Sequence, residues 1–301
     1  MDGVLRNAWY VAAWAEELAP GARLSRRLLD EPVVLSRDAA GHVVAAVSTR
    51  HCPLIERSSA LWLWMGDPQA ADPALLPAFD FLDPLHWAVG TGHMAVEAHY
   101  ELETDNILDL SHIEFLHPLF ASEAVRRGTA DCRQEADTVW SHRLITDDLP
   151  PPFVYEAFGI PPGRKVDRWL DVRWNAPALM ALWTGGVESG SPRELGTTVP
   201  SAHCFTPETA TRTHYFYAIA FPRAMGPLAE SLARDNVQVL RGPFEHEDKP
   251  MLEAVQRNMG GADLWSMKPV LLPGDAAAVR ARRVLQRLIE AERKGRHEHR
   301  R

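Results

Sequence analysis

The feature that most limits the fold is a series of strand-like runs, DTVWSHRLI, KVDRWLDVRWN, ALMALWTGGV, VPSAHCFTPE and THYFYAIAFP, followed by two helical stretches over about 227–259 and 275–292. Runs this rich in β-branched and aromatic residues, broken by Gly and Pro, read as strands. In the last stretch Val279, Leu285, Leu288 and Ile289 supply a partial apolar stripe. Two earlier runs, LLDEPVVLSRD and GHVVAAVS, flank the turn signal AAGH, and SSALWLWMGDP sets Leu61 and Leu63 on one face and Trp62 and Trp64 on the other. QAADPALLPAFDFLDP is a proline-rich connector. From about Leu85, WAVGTGHMAVEAHYELE predicts one or two strands leading into a helix over TDNILDLSHIEFLHP. The order fits the α+β class, with an antiparallel sheet wrapped around helices.

Bulk properties exclude several functions. Of the 301 residues 46% are hydrophobic, enough for a real core. A formal charge of −8 argues against a nucleic-acid or anionic-membrane partner, since both favour a basic surface. No stretch approaches the roughly 20 apolar residues of a membrane span, and MDGVLRNAWYVAAW lacks a signal-type core, so a cytoplasmic protein is expected. Cys52, Cys132 and Cys204 are odd in number and far apart, unlike a disulfide framework or a CxxC knuckle. There is no G-x-S-x-G elbow, P-loop or G-x-G-x-x-G, and His203 and Cys204, adjacent on a strand, face opposite sides.

The helix around position 112 carries the chemistry. At about 100° per residue, Leu108, Phe115 and Leu116 gather near His112, which puts this histidine on the buried face. Asp109, one turn back, is close enough to accept a hydrogen bond from the ring and fix its tautomer, and Asn106 extends the polar line. His117 precedes Pro118, which turns the chain out of helical geometry and can bring the second ring beside the first. Ordinary core and surface histidines show the same spacing. A third ligand is best supplied by PFEHEDKPMLEAVQ, where Phe244, Met251, Leu252 and Val255 surround Asp248 on a helical projection, while Glu247 and Glu253 point away and Glu245 lies at the edge. A salt bridge or a helix N-cap explains Asp248 equally well. Two histidines and a carboxylate suit an Fe(II) site with open positions, or a Zn²⁺ site that activates water, and spacing does not choose between them.

At these residues the chain resembles the oxygenase component of Rieske-type aromatic-ring oxygenases, in the vanillate and dicamba O-demethylase branch. NAWYVAAWAEEL and ERSSALWLWMGDPQAADP resemble the family's N-terminal region, and Tyr100-Glu-Leu-x3-Asn106-x2-Asp109-x2-His112-x4-His117 with Glu247-Asp248-Lys249 resembles its iron motif. The resemblance implies a mononuclear iron on His112, His117 and Asp248, with Asn106 as a site neighbour and Asp109 as the bridging acid. SAHCFTPET resembles the strand that places a pocket histidine, which makes His203 a substrate contact. It also implies a truncated N-terminal β region over 1–84 and a helix-grip catalytic domain over 85–301, with a curved antiparallel sheet around a long C-terminal helix. A ring-shaped homotrimer is implied too.

One departure matters. The family holds a [2Fe–2S] cluster on a Cys-x-His pair and a later Cys-x2-His pair. Here VVAAVSTRHCPLIER runs directly from the strand before the first pair to the strand after the second, and His51-Cys52 is the lone doublet there. No Rieske cluster is expected on this chain. The leading expectation is O₂-dependent oxidation of a small aromatic or related apolar acid, with electrons from a reductase, a ferredoxin, a cluster-bearing partner subunit or the substrate. Trp174, Trp183 and Phe216 are candidates to line the pocket, or to fill the core. The alternatives are a lyase or hydrolase on the same metal, and a non-catalytic subunit of a cluster-bearing homologue.

Overall fold

The computed structural model describes residues 3–48 and 50–298. Seven strands come first: β1 (Trp9–Trp14), β2 (Arg23–Leu28), β3 (Glu31–Arg37), β4 (Val43–Val47), β5 (Arg50–Cys52), β6 (Leu54–Arg57) and β7 (Ala60–Trp64). They form a four-stranded sheet in the order β2-β3-β4-β5 and a three-stranded sheet in the order β1-β7-β6. The run LLDEPVVLSRD is not one strand. It bends at Leu29 and Asp30, whose positive φ values of 53° and 65° are those a tight hairpin turn needs. The connector forms short 3₁₀ turns at Pro68–Ala70, Pro73–Leu75 and Asp80–Leu82.

The second part is β8 (Trp87–Val96), α1 (Tyr100–Leu108), α2 (Ile113–Leu116), α3 (Glu123–Arg127), β9 (Thr129–Glu135), β10 (Thr138–Asp148), α4 (Pro152–Phe158), β11 (Val166–Asn175), β12 (Leu179–Glu188), β13 (Thr197–Thr209), β14 (Arg212–Pro222), α5 (Pro227–Pro243), α6 (Lys249–Met259) and α7 (Ala276–Glu298). Its seven strands make one antiparallel sheet in the order β8-β14-β13-β12-β11-β10-β9. The α+β expectation holds, with three sheets in place of a single one. Strand β9 carries no apolar alternation to announce it, being an almost wholly exposed edge strand.

Two apolar clusters hold these layers. Leu61 and Leu63 belong to the larger, which runs from the four-stranded sheet to the helices; Trp62 and Trp64 belong to the smaller, against Leu179, Ala202, Cys204 and Phe216 of the seven-stranded sheet. The alternation in β7 therefore reports a strand covered on both sides. Helix α5 lies across β8 at Gly90, where a Cβ would come within 2.1 Å of the Ala233 carbonyl oxygen, so close packing there needs glycine. Helix α7 is tied to α1 by Arg282, whose Nη2 is 2.7 Å from Asp105 Oδ2 and whose Nη1 is 2.6 Å from Glu101 Oε2. Among the described residues no helix is long and apolar enough to cross a membrane.

Candidate metal centre and its cavity

The predicted helix through position 112 is interrupted. At Asp109 the backbone leaves helical geometry (φ −119°, ψ 92°), and its carboxylate accepts from the Ser111 N–H at 3.0 Å, restarting the chain as a 3₁₀ turn over Leu110–His112. An Asp side chain that caps the next turn competes in this way with a continuous helix. The projection used for His112 therefore fails, and Phe115 is 74% exposed. His112 is nevertheless aimed inward, and its Nδ1–H donates to the main-chain carbonyl of Asp109 at 2.8 Å. The break presents that carbonyl to the ring in place of the expected side chain. The Asp109 carboxylate instead accepts from buried Arg143 at 3.2 Å. His117 ends α2 with φ −116° and ψ 84°, as its place before proline requires.

Asp248 arrives from a second irregularity. Between α5 and α6, residues Phe244–Asp248 form one π-helical turn. Pro250 has no N–H for the carbonyl four residues back, which favours the wider turn. The extra residue rotates the side chains relative to an α-helical projection, with two consequences. Met251 and Val255 are 54% and 40% exposed, so of the apolar stripe predicted around Asp248 only Phe244 and Leu252 pack inward, while Asp248 itself is buried. Glu247, predicted to point away, instead accepts from His117 Nδ1 at 2.7 Å. Glu245 pairs with Arg241, and Glu253 accepts from the Glu97 N–H.

Together these turns bring His112, His117 and Asp248 to one point, with one nitrogen or oxygen of each within 4.8 Å of the others. Asp248 Oδ1 lies 3.5 Å from His112 Nε2 and 3.3 Å from His117 Nε2, and accepts from Asn106 Nδ2 at 3.1 Å. Each imidazole spends its Nδ1 on an outside acceptor, which leaves both Nε2 lone pairs facing the carboxylate. Burial lowers the pKa of His112. At His117 burial acts the same way, but hydrogen bonds and charge from Asp248 and Glu247 outweigh it and raise the pKa. The donor set suits a divalent cation with room for further ligands.

The cluster opens on a cavity of about 600 Å³. Its wall is mostly apolar, and its neutral polar groups include Thr184, Thr197, Thr198, Ser201, His203 and Asn236. His203 is sealed in, with Nδ1 2.6 Å from the Tyr215 hydroxyl and Nε2 3.0 Å from Ser201 Oγ, and desolvation drives its pKa down to about 4. Trp174, Trp183 and Phe216 do not line this space. Trp174 and Phe216 are core residues, and Trp183 packs on Phe81 and Trp140. Ser201, Arg143 and Glu247 escaped the sequence reading. Glu247 had a signal in its place beside Asp248, hidden by the assumption of regular helix; the other two had none. Among the described residues no other group of three or more His, Cys, Asp or Glu side chains converges closely enough to share a metal. Cys52 lies on β5, Cys132 on the edge strand β9, and Cys204 in the smaller core.

The chain is similar to known proteins over nearly its whole length. Residues 96–291 match the family described as the vanillate O-demethylase oxygenase C-terminal domain. The chain is 31% identical over 341 aligned positions to the oxygenase component of chloroacetanilide N-alkylformylase from Rhizorhabdus wittichii, covering 96% of each. It is 27% identical to the oxygenase component of dicamba O-demethylase from Stenotrophomonas maltophilia, covering 96% of this chain and 98% of that one. The crystal structure of dicamba monooxygenase bound to dicamba superposes with a TM-score of 0.83 at 26% identity, over 97% of this chain and 99% of that one. The chain belongs to the vanillate O-demethylase branch of the Rieske-type oxygenases and is an oxidoreductase of the oxygenase class.

Proposed function

We propose that His112, His117 and Asp248 hold one Fe(II), and that the enzyme uses O₂ to oxidise a small aromatic or related apolar molecule seated in the adjoining cavity. The observation that carries this reading is geometric: both Nδ1 atoms are engaged by acceptors outside the cluster, so the two Nε2 atoms and one carboxylate oxygen converge. Bound there, Fe(II) would supply the activation of O₂ beside the cavity. The chain's own residues do the rest. Glu247 and the Asp109 carbonyl orient the two rings, Asn106 steadies Asp248, and the apolar wall keeps water from the reacting molecule. His203, in the cavity wall, is the proposed substrate contact.

We further propose that residues 1–84 are a shortened Rieske-like region without a cluster and residues 85–301 the catalytic domain. In the chloroacetanilide N-alkylformylase alignment, 96% of this chain is about 289 residues, so some 52 of the 341 positions have no counterpart in it. The scattered cysteines agree with a chain that cannot build four cluster ligands. Electrons then come from an external donor: a reductase, a ferredoxin, or a cluster-bearing subunit of a ring-shaped assembly. The test is iron and acid-labile sulfide per chain, on protein purified without oxygen. One iron, no sulfide, and loss of the iron in Asp248→Ala are expected. Labile sulfide would overturn the cluster-free reading, and zinc the oxygenase one.

A further inference from the structure

The cavity wall has an unusual charge balance. Among the described residues its one lysine or arginine is Arg168, which is only 6% exposed. Its Nη2 lies 2.7 Å from Asp148 Oδ2 and 3.3 Å from Ser122 Oγ, and its Nη1 is 3.4 Å from the Phe120 carbonyl oxygen. Asp148 is 1% exposed and sits behind the wall. The remaining formal charges of the wall are Glu156 at an exposed position and Asp248 at the centre, both negative. His203 has both ring nitrogens engaged and is neutral near pH 7. At the centre, Asp248 and Glu247 would balance the two charges of a divalent ion held there, leaving no unopposed positive charge. An anion moved from water into such a space loses hydration without gaining a counter-charge, and that costs far more than any apolar contact returns.

We infer that this cavity selects an uncharged molecule, one whose ether, amide, carbonyl or hydroxyl groups meet Thr184, Ser201 and Asn236, and that it selects against carboxylates and sulfonates because Asp148 holds the cavity's guanidinium. The inference rests on the cavity being the substrate site, as proposed above, and it replaces the acid expected from sequence with a neutral compound. Asp148 is thus a specificity-determining residue that acts through Arg168 without touching the substrate.

The test uses an isosteric pair, 6-methoxy-2-naphthamide and 6-methoxy-2-naphthoate, titrated by calorimetry into the iron-loaded protein under anaerobic conditions. The amide is expected to bind at least tenfold more tightly. Equal or tighter binding of the carboxylate would overturn this inference alone, whereas binding of neither would overturn it together with the reading of the cavity as the substrate site. In Asp148→Asn the released guanidinium is expected to raise naphthoate affinity about tenfold and leave the amide unchanged; an unaltered naphthoate affinity would count against the role of Asp148. Should that variant not fold, the double replacement Asp148→Asn with Arg168→Met is expected to keep the wild-type preference. A tenfold loss of naphthoate affinity there would identify Arg168 as an anion anchor and overturn the inference.

Discussion

A histidine closed in by a tyrosine hydroxyl and a serine has little to gain from a proton. His203 titrates near 4 in the folded chain because burial opposes the charged form, against about 6.5 for an exposed histidine. Between these values the unfolded chain binds a proton that the folded chain refuses, so stability is complete above pH 6.5 and falls as pH drops toward 4. The slope is up to about 1.4 kcal/mol per pH unit in that window. His93 and His99 are depressed to about 4 as well, so the informative quantity is a difference. Urea unfolding at pH 7 and pH 5 is expected to show a smaller loss in His203→Gln than in wild type, by about 1–2 kcal/mol. Identical losses would show that this ring is not desolvated. At this scale spacing left His112, His117 and Asp248 open between a metal site and ordinary core, surface or capping roles, and the motif they resemble, which includes Asn106, is what singled them out; the fold brings the three together. Glu247 and the Asp109 carbonyl were not legible, because which polar group meets an imidazole depends on local backbone geometry that spacing does not encode.

The elements bearing these residues are defined by their faults. Helix α1 stops at Asp109, and the α5–α6 junction widens into a π turn, so a reading in even steps of about 100° locates both helices and misassigns faces within each. The strands were more legible, since period-two alternation tolerates errors in length: β10 to β14 lie where their sequence runs place them. The π turn allows a sharp prediction. Deleting Glu245, a half-exposed residue of that turn, should restore an α-helical register and rotate Asp248 away from the histidines. Iron content is expected to fall from about one per chain to near zero while far-UV circular dichroism stays close to wild type. Full retention of iron would show that the turn is incidental to the site.

Across the whole molecule, the site is held by contacts between parts distant in sequence. Arg282 of α7 joins Asp105 and Glu101 of α1, and its side chain is 9% exposed. Arg282→Met leaves two carboxylates facing each other in a partly buried seam, and is expected to cost about 3 kcal/mol in denaturant unfolding. A loss below about 0.5 kcal/mol would reduce this tie to an ordinary surface pair. The sequence could not reveal such ties, because nothing in Arg282 or Asp105 distinguishes a cross-molecule pair from solvated helix charges. For the same reason it predicted one sheet where there are three: alternation reports which faces are covered, not by what.

Strand β7, covered on both sides, bears on how a chain of this kind can change length. Strand β5 lies at the margin of the four-stranded sheet, so a change of length beside it disturbs little of the interior. β7 offers no such freedom, since Leu61 and Leu63 complete one interior and Trp62 and Trp64 the other. A chain of this architecture can therefore vary in length beside the four-stranded sheet, yet remains bound to β7, because each face of that strand has become part of a different interior.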